Sequence, residues 1–171
     1  MPSAFANDLV ALLPRLRRFA RALTGAQDRA DDLVQAACER ALRAEARFVP
    51  GSRLDAWMFQ IIRNLWIDGL RSGAASGGQH LSLDAAEDIP HGDGPSRVEA
   101  SLLLRQVREL IATLPVEQRE VVALVCIEEM TYREAAEYLD VPIGTVMSRL
   151  ARARRKIADA VGADAALPLM R

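Results

Sequence analysis

The segment TYREAAEYLDVPIGTVMSRLARARRKI spans residues 131–157 and contains two short helical patterns separated by a break. Thr131 and Glu134 have the T-x-x-E spacing of a capping box, in which a hydroxyl and a carboxylate each satisfy a backbone amide at a helix start. Residues 139–142, Leu-Asp-Val-Pro, interrupt the helical periodicity. Apolar residues at spacings of three and four then predict the buried side of a final helix: Val146, Leu150, Ala153 and Ile157.

This arrangement is typical of a helix-turn-helix. The motif needs a small residue where its helices touch, a turn residue that tolerates left-handed backbone, and an apolar residue that locks the second helix to the first. Ala136, Asp140 and Val146 are predicted to fill these three positions. Glycine is the commoner turn residue, but aspartate enters the left-handed region more readily than most side chains.

The outward side of the final helix is basic and free of acids. Residues 145–158 contain four arginines and one lysine, whereas a helix that supports only itself mixes acids with bases. Such side chains contact base edges and phosphates in the major groove of DNA. The alternative is a solvated basic face without a partner. We predict DNA contacts for Thr145, Ser148, Arg149, Arg152, Arg155 and Lys156.

A segment rich in glycine, serine and acids precedes this domain. Residues 73–97 hold five of the ten glycines and both histidines, His80 and His91. Such a composition cannot offset the entropy of ordering, so it predicts a flexible linker with solvent-exposed histidines. The chain therefore divides into an N-terminal domain, 1–72, and a C-terminal domain, 98–162, with a tail at 163–171. A helix over 98–114 and a second helix opened by Pro115 are predicted to precede the helix-turn-helix.

The N-terminal domain is predicted to contain three helices. Apolar residues repeat at helical spacing over 9–23, and Pro14 is expected to divide that helix into a leading turn and a main part. Asp28 is predicted to cap the second helix, which stops near Phe48. Its predicted inward residues are Leu33, Val34, Ala37, Cys38, Ala41 and Leu42. A third helix is predicted over 54–70, and three such helices can close one small core.

Composition supports the same fold class. Hydrophobic residues make up 50% of the chain and aromatic residues only 5%, while alanine, leucine, arginine and glutamate recur throughout. The sequence therefore predicts an all-α protein with two small helical domains joined by a flexible linker. The net charge of −1 conceals a sorting of charge, because residues 1–72, 73–98 and 99–171 carry +3, −3 and −1.

Several function classes lack their residues. The chain has no phosphate-binding glycine motif and no metal-spaced His and Cys cluster, so we expect no enzyme activity, cofactor, metal or small-molecule substrate. Cys38 and Cys126 are far apart and are predicted to be buried free thiols. The N-terminus does not resemble a signal peptide, and no stretch approaches the ~20 apolar residues of a membrane span. A cytoplasmic protein without membrane insertion is expected.

Three segments, in order, resemble the extracytoplasmic-function (ECF) sigma factors of bacterial RNA polymerase, and the resemblance extends over nearly the whole chain. DRADDLVQAACERAL at 28–42 is similar to the family's second conserved region, and RLDAWMFQIIRNLWIDGLR at 53–71 to its promoter-melting segment. Residues 114–157, LPVEQREVVALVCIEEMTYREAAEYLDVPIGTVMSRLARARRKI, are similar to its C-terminal promoter-reading domain. The resemblance implies a sigma factor that binds core RNA polymerase and promoter DNA, under an anti-sigma factor in a stress or envelope response.

The resemblance also implies roles for individual residues. It implies that four residues contact the largest polymerase subunit: Asp31, Asp32, Leu33 and Gln35. The loop 44–53 and one face of the third helix would capture unstacked bases of the downstream promoter element through Arg47, Phe48, Arg53, Gln60, Arg63 and Asn64. The upstream, minus-thirty-five element falls to the final helix, through the six residues predicted above to contact DNA.

Alternatives remain open at this point. The acid pair at 31 and 32 also suits the first turn of any helix, where it complements the helix dipole. Trp57 and Trp66 have base-stacking or core interpretations, and their helical spacing favours the core. An autonomous helix-turn-helix regulator that binds an operator as a dimer is the other candidate function, although no heptad pattern supplies a dimer surface.

Overall fold

The computed structural model describes residues 3–75 and 95–161 of the 171-residue chain. The chain separates into two compact units, 1–82 and 83–171. Regular structure within the described residues is entirely helical, which confirms the predicted all-α class. Most of the predicted linker, with His80 and His91, and the predicted tail lie outside the described residues.

The first unit is a bundle of three helices. They are α1 (Ala4–Thr24), α2 (Gln27–Arg43) and α3 (Leu54–Ala75), and a 3-10 turn at Glu45–Arg47 follows α2. Each helix packs against the other two. Small buried alanines on α2 let α1 and α3 approach it closely. The largest fully buried side chains come from α1 and α3: Leu16, Phe19, Leu23, Met58, Phe59 and Ile62.

Pro14 does not divide α1, contrary to the prediction. The helix runs without interruption from Ala4 to Thr24, with Pro14 inside it. A proline lacks the N–H that would bond the carbonyl four residues earlier, here that of Val10. Both Val10 and Pro14 lie on the exposed side of α1, so water can satisfy the unpaired carbonyl and the helix continues.

The predicted limits of α2 were also wrong at both ends. Gly25 ends α1 with a left-handed backbone (φ +78°), and α2 begins two residues later with Ala26 at the N-cap. Asp28 therefore lies in the first turn, where its charge complements the helix dipole, rather than at the cap. The helix ends at Arg43, before Phe48, and Leu42 is exposed because it follows Ala41 around the helix, away from the core.

The second unit is built around its last helix. It contains α4 (Pro95–Ala112), α5 (Val116–Val122), a π-helical turn (Ala123–Ile127), α6 (Tyr132–Leu139) and α7 (Ile143–Val161). Helix α7 packs against α4, α5 and α6. The buried Arg119 donates hydrogen bonds to the carbonyls of Ala112 and Leu114, which satisfies the end of α4. Burial lowers the pKa of Arg119.

Both cysteines are free, as predicted. The prediction that both are buried is wrong for Cys126 and only partly right for Cys38. Cys38 is half-buried and Cys126 is exposed. The π-helical turn shifts the register at 123–127, which carries position 126 away from the apolar face. Burial raises the pKa of the Cys38 thiol, against an opposing effect of Arg17. None of the described helices has the length and apolar character needed to cross a membrane.

Candidate nucleic-acid interface

Helices α6 and α7 form the predicted helix-turn-helix. Thr131 accepts a hydrogen bond from the Glu134 amide at 3.2 Å, and the Glu134 carboxylate accepts one from the Thr131 amide at 2.8 Å, so the capping box is confirmed. Asp140 ends α6 in the left-handed region (φ +53°, ψ +51°), as predicted for the turn residue. The Val141 amide bonds the Ala136 carbonyl at 3.1 Å and closes the turn.

The two sides of α7 divide as the sequence predicted. Val146 is fully buried, and Leu150, Ala153 and Ile157 continue the inward side. Of the six residues predicted to contact DNA, Ser148, Arg152, Arg155 and Lys156 are exposed, while Thr145 and Arg149 are half-buried. The motif thus presents a connected polar surface, which we call the basic face, made of these six residues.

The basic face keeps its arginine charges available. Within the described residues, Arg149, Arg152 and Arg155 form no ion pair. Lys156 differs, because its Nζ donates to the Thr113 carbonyl at 3.3 Å, near the end of α4. Ser148 donates its hydroxyl hydrogen to the Thr145 carbonyl at 3.1 Å and keeps its oxygen lone pairs available.

Sequence reasoning missed an apolar strip beside the basic face. Ile143 and Met147 are about half exposed, one helical turn apart at the start of α7. The space around Gly144 is open, so the helix can approach a partner closely there. Met147 lies about 100° around α7 from Ser148, at the edge between the inward and outward sides, so the helical period alone does not predict its exposure. Such side chains suit the methyl groups of thymine in a major groove.

In the first unit, the four residues predicted to contact polymerase lie on α2. Asp32 and Gln35 are exposed, and Asp31 and Leu33 are half-buried. The Asp31 carboxylate pairs with the Arg17 guanidinium of α1 at 3.3 Å and accepts a hydrogen bond from Gln27 at 3.0 Å. Asp31 therefore also links α1 to α2, while Asp32 presents its charge to solvent.

The loop between α2 and α3 contains three of the predicted promoter contacts. Arg47 is exposed, whereas Phe48 is half-buried against the rings of Phe5 and Trp57. Arg53 donates from Nε and Nη2 to the Asp55 carboxylate, at 3.3 and 3.0 Å. Trp66 is buried, in agreement with its core interpretation.

The other predicted promoter contacts lie on one face of α3. Gln60 donates its side-chain amide to the Asn64 oxygen at 3.1 Å, and Arg63 is half-buried beside them. Gln60 and Asn64 are one turn apart, so their amides form a continuous polar strip. The loop and this strip belong to one continuous stretch of chain, because the loop leads directly into α3, which carries the strip.

Asp55 organises the start of α3 electrostatically. Burial alone would raise its pKa, but hydrogen bonds from Arg53, the Ala56 amide and Arg15 lower the pKa to about 2. The Arg15 contact, at 2.7 Å, ties α1 to α3, and the same guanidinium lies over the Phe59 ring at 5.0 Å. Asp55 thus holds both the core helix α1 and the loop residue Arg53.

We expect the stability of the first unit to fall at acid pH. The folded pKa of Asp55 lies below its unfolded value, so its ionised form stabilises the fold above about pH 4, and this contribution is lost as pH falls towards 2. Asp55→Asn should remove up to about 2 kcal/mol at pH 7 and flatten this part of the pH profile. Urea unfolding from pH 7 to pH 2.5 measures both effects, with the solvent-exposed Asp68→Asn as the control. An equal pH slope in the two variants would contradict the role of Asp55.

Family comparisons agree with this geometry. The family described as "Sigma-70, region 4" matches residues 104–157, and "Sigma2 domain of PhyR" matches residues 9–63. The ECF RNA polymerase sigma factor EcfG of Rhodopseudomonas palustris is 36% identical over 160 residues, which cover 94% of this chain and 86% of that protein. This chain belongs to the ECF sigma factors. ECF sigma factor SigM of Mycobacterium tuberculosis is 32% identical, and the match covers 86% of this sigma factor and 72% of SigM.

Solved structures give the same result for the fold. The sigma factor RpoE of Bartonella quintana, solved in complex with the anti-sigma factor NepR, is 30% identical with a TM-score of 0.76 over 98% of both chains. CnrH, solved in complex with the cytosolic domain of CnrY, is 26% identical with a TM-score of 0.66, over 94% of this sigma factor and 89% of CnrH. Both similarities span the two units of this sigma factor.

Proposed function

We propose that this sigma factor binds core RNA polymerase and directs it to a restricted set of promoters. Residues 1–72 would bind polymerase and open the downstream element, and residues 98–162 would read the upstream element, with 73–97 as linker and 163–171 as tail. The observation that carries the proposal is the basic face of α7, with arginines that form no ion pair within the described residues. In this proposal the chain acts in the cytoplasm by binding, and it carries out no catalytic step.

Each surface has a separate task in this proposal. The α2 residues Asp31, Asp32, Leu33 and Gln35 contact polymerase. The loop 44–53 and the α3 strip capture unstacked bases with Arg47, Phe48, Arg53, Gln60, Arg63 and Asn64. Unstacking costs a few kcal/mol per base, and a protein can offset this by stacking and by backbone contacts to the extruded strand. A linker between two DNA-binding domains raises the effective concentration of the second DNA contact once the first has formed.

We further propose control by an anti-sigma factor. Two related sigma factors were solved in complexes, RpoE with the anti-sigma factor NepR and CnrH with the cytosolic domain of CnrY. A partner of this kind would cover polymerase-binding residues on α2 and so keep the sigma factor inactive until a stress or envelope signal releases it.

Reconstitution with bacterial core polymerase tests the proposal. Adding the purified protein to sigma-free core is expected to start transcription from a small subset of promoters in a genomic library, measured by sequencing of transcript 5′ ends. The motif order and the basic face motivate this expectation. Core alone is the control. Absence of any start site that depends on the added protein would exclude the sigma function.

A further inference from the structure

Three aromatic rings join the start of α1 to the loop between α2 and α3. The Phe5 centroid lies 5.4 Å from that of Phe48 and 6.1 Å from that of Trp57, and Phe48 lies 5.4 Å from Trp57. The rings are inclined by 45° to 68°, in the tilted and edge-on geometries that aromatic pairs prefer. We call this group the aromatic clamp. It is tertiary, because its members come from three separate parts of the unit.

The clamp holds one end of a loop whose other end is also fixed. Beyond Phe48, residues 49–52 form a tight turn with Gly51 at φ +85°, and the Ser52 amide and hydroxyl both bond the Val49 carbonyl, at 3.0 and 2.7 Å. Arg53 then bonds Asp55 at the start of α3. Val49 at the tip is 68% exposed. The loop 44–53 is therefore ordered by contacts at both ends and presents its tip to solvent.

Phe5 is a buried side chain at the start of α1, and its ring contacts are with the loop and with the start of α3. It lies in the first turn of α1, whose start is capped by Ser3 accepting from the Ala6 amide at 3.2 Å. Leu9, one helical turn further along, is also buried, and Leu16 is the first fully buried side chain of α1. Both ring contacts of Phe5 are to Phe48 and Trp57, so this residue couples the start of α1 to the loop.

We propose that Phe5 and Trp57 are positioning residues for promoter reading, which hold Phe48 and the loop 44–53 in the shape that captures unstacked bases. This inference rests on the proposed function of that loop. Capture of a single strand by a disordered loop would cost the entropy of ordering it at the moment of binding. A loop that the clamp already orders in the free protein loses this entropy during folding and not on binding. More of its contact energy is then available to discriminate one base from another.

The test compares base discrimination rather than activity. Holoenzymes with Phe5→Ala, Phe5→Tyr and the core control Leu9→Ala are assayed on promoter libraries randomised at the downstream or the upstream element, with transcripts counted by sequencing. Phe5→Ala should lower the preference ratio at the downstream element at least about fivefold and leave the upstream ratio unchanged. Phe5→Tyr keeps the ring, so it should retain the wild-type preference ratio at the downstream element. Leu9→Ala should lower activity alone, because a ratio does not depend on the folded fraction.

Each outcome separates the clamp from the function of the loop. A wild-type holoenzyme without any downstream preference would remove the proposed function of the loop itself. Wild-type preference that survives in Phe5→Ala, or that falls equally in Leu9→Ala, would overturn the clamp alone. Phe5→Leu, which keeps apolar volume without the ring, gives the same readout if Phe5→Ala does not fold.

Discussion

Alanine at Arg149 or at Arg152 is expected to reduce discrimination at the upstream promoter element by about 1–3 kcal/mol each. The two residues lie three positions apart on α7, so they share one side of the helix. Neither pairs with an acid within the described residues, so each guanidinium can form a bidentate contact with a base edge. Transcription from consensus and single-base variants of the upstream element measures the loss, while core-polymerase binding should persist.

Arg154 provides the matched control for this experiment. It lies on the same helix but is half-buried, and the helical period places it on a different side of α7 from Arg149 and Arg152. Arg154→Ala removes the same charge, so it should weaken binding to all sequences equally and leave discrimination intact. Equal losses of discrimination in the Arg152 and Arg154 variants would mean that only the overall charge of α7 matters.

The helix-turn-helix was predictable because its determinants are local. The capping box needs two residues three apart, and the left-handed turn needs one tolerant residue, Asp140. Both signals act within a single helical turn of sequence. The inward and outward sides of α7 follow from the 3.6-residue period, which short-range periodicity also reveals.

The first unit was less predictable because its decisive contacts are distant in sequence. The aromatic clamp joins residues 5, 48 and 57, and no periodic pattern relates them. Whether Pro14 breaks α1 depends on which side of the helix faces solvent, which a propensity cannot state. Phe59 is fully buried, and its ring centroid lies 4.6 Å from that of Phe19 on α1. Its burial results from packing with α1.

The predicted contacts with polymerase and the downstream element stay predictions, for a physical reason. Their side chains are exposed or half-buried on a helical bundle, and exposure alone does not distinguish a docking surface from a solvated one. Asp31 illustrates the difficulty, since its pairing with Arg17 is a sufficient structural role.

An aspartate placed on either side of α7 is expected to separate folding from DNA reading. Val146→Asp introduces a carboxylate at a fully buried position on the inward side of α7. The loss of apolar burial and the desolvation of the carboxylate should together cost at least about 3 kcal/mol, a large part of the stability of a small domain. Urea unfolding followed by circular dichroism should show this loss.

Ser148→Asp puts the same charge two residues further on, at an exposed position of the basic face. Its stability should stay within about 0.5 kcal/mol of wild type, because no buried contact is lost. Promoter-dependent transcription should nevertheless fall at least tenfold, since a carboxylate on this face is repelled by phosphates and displaces contacts to base edges, each worth ~1–3 kcal/mol. A stable Ser148→Asp protein with wild-type transcription would show that DNA lies elsewhere, whereas loss in that variant without unfolding places it on this side of α7.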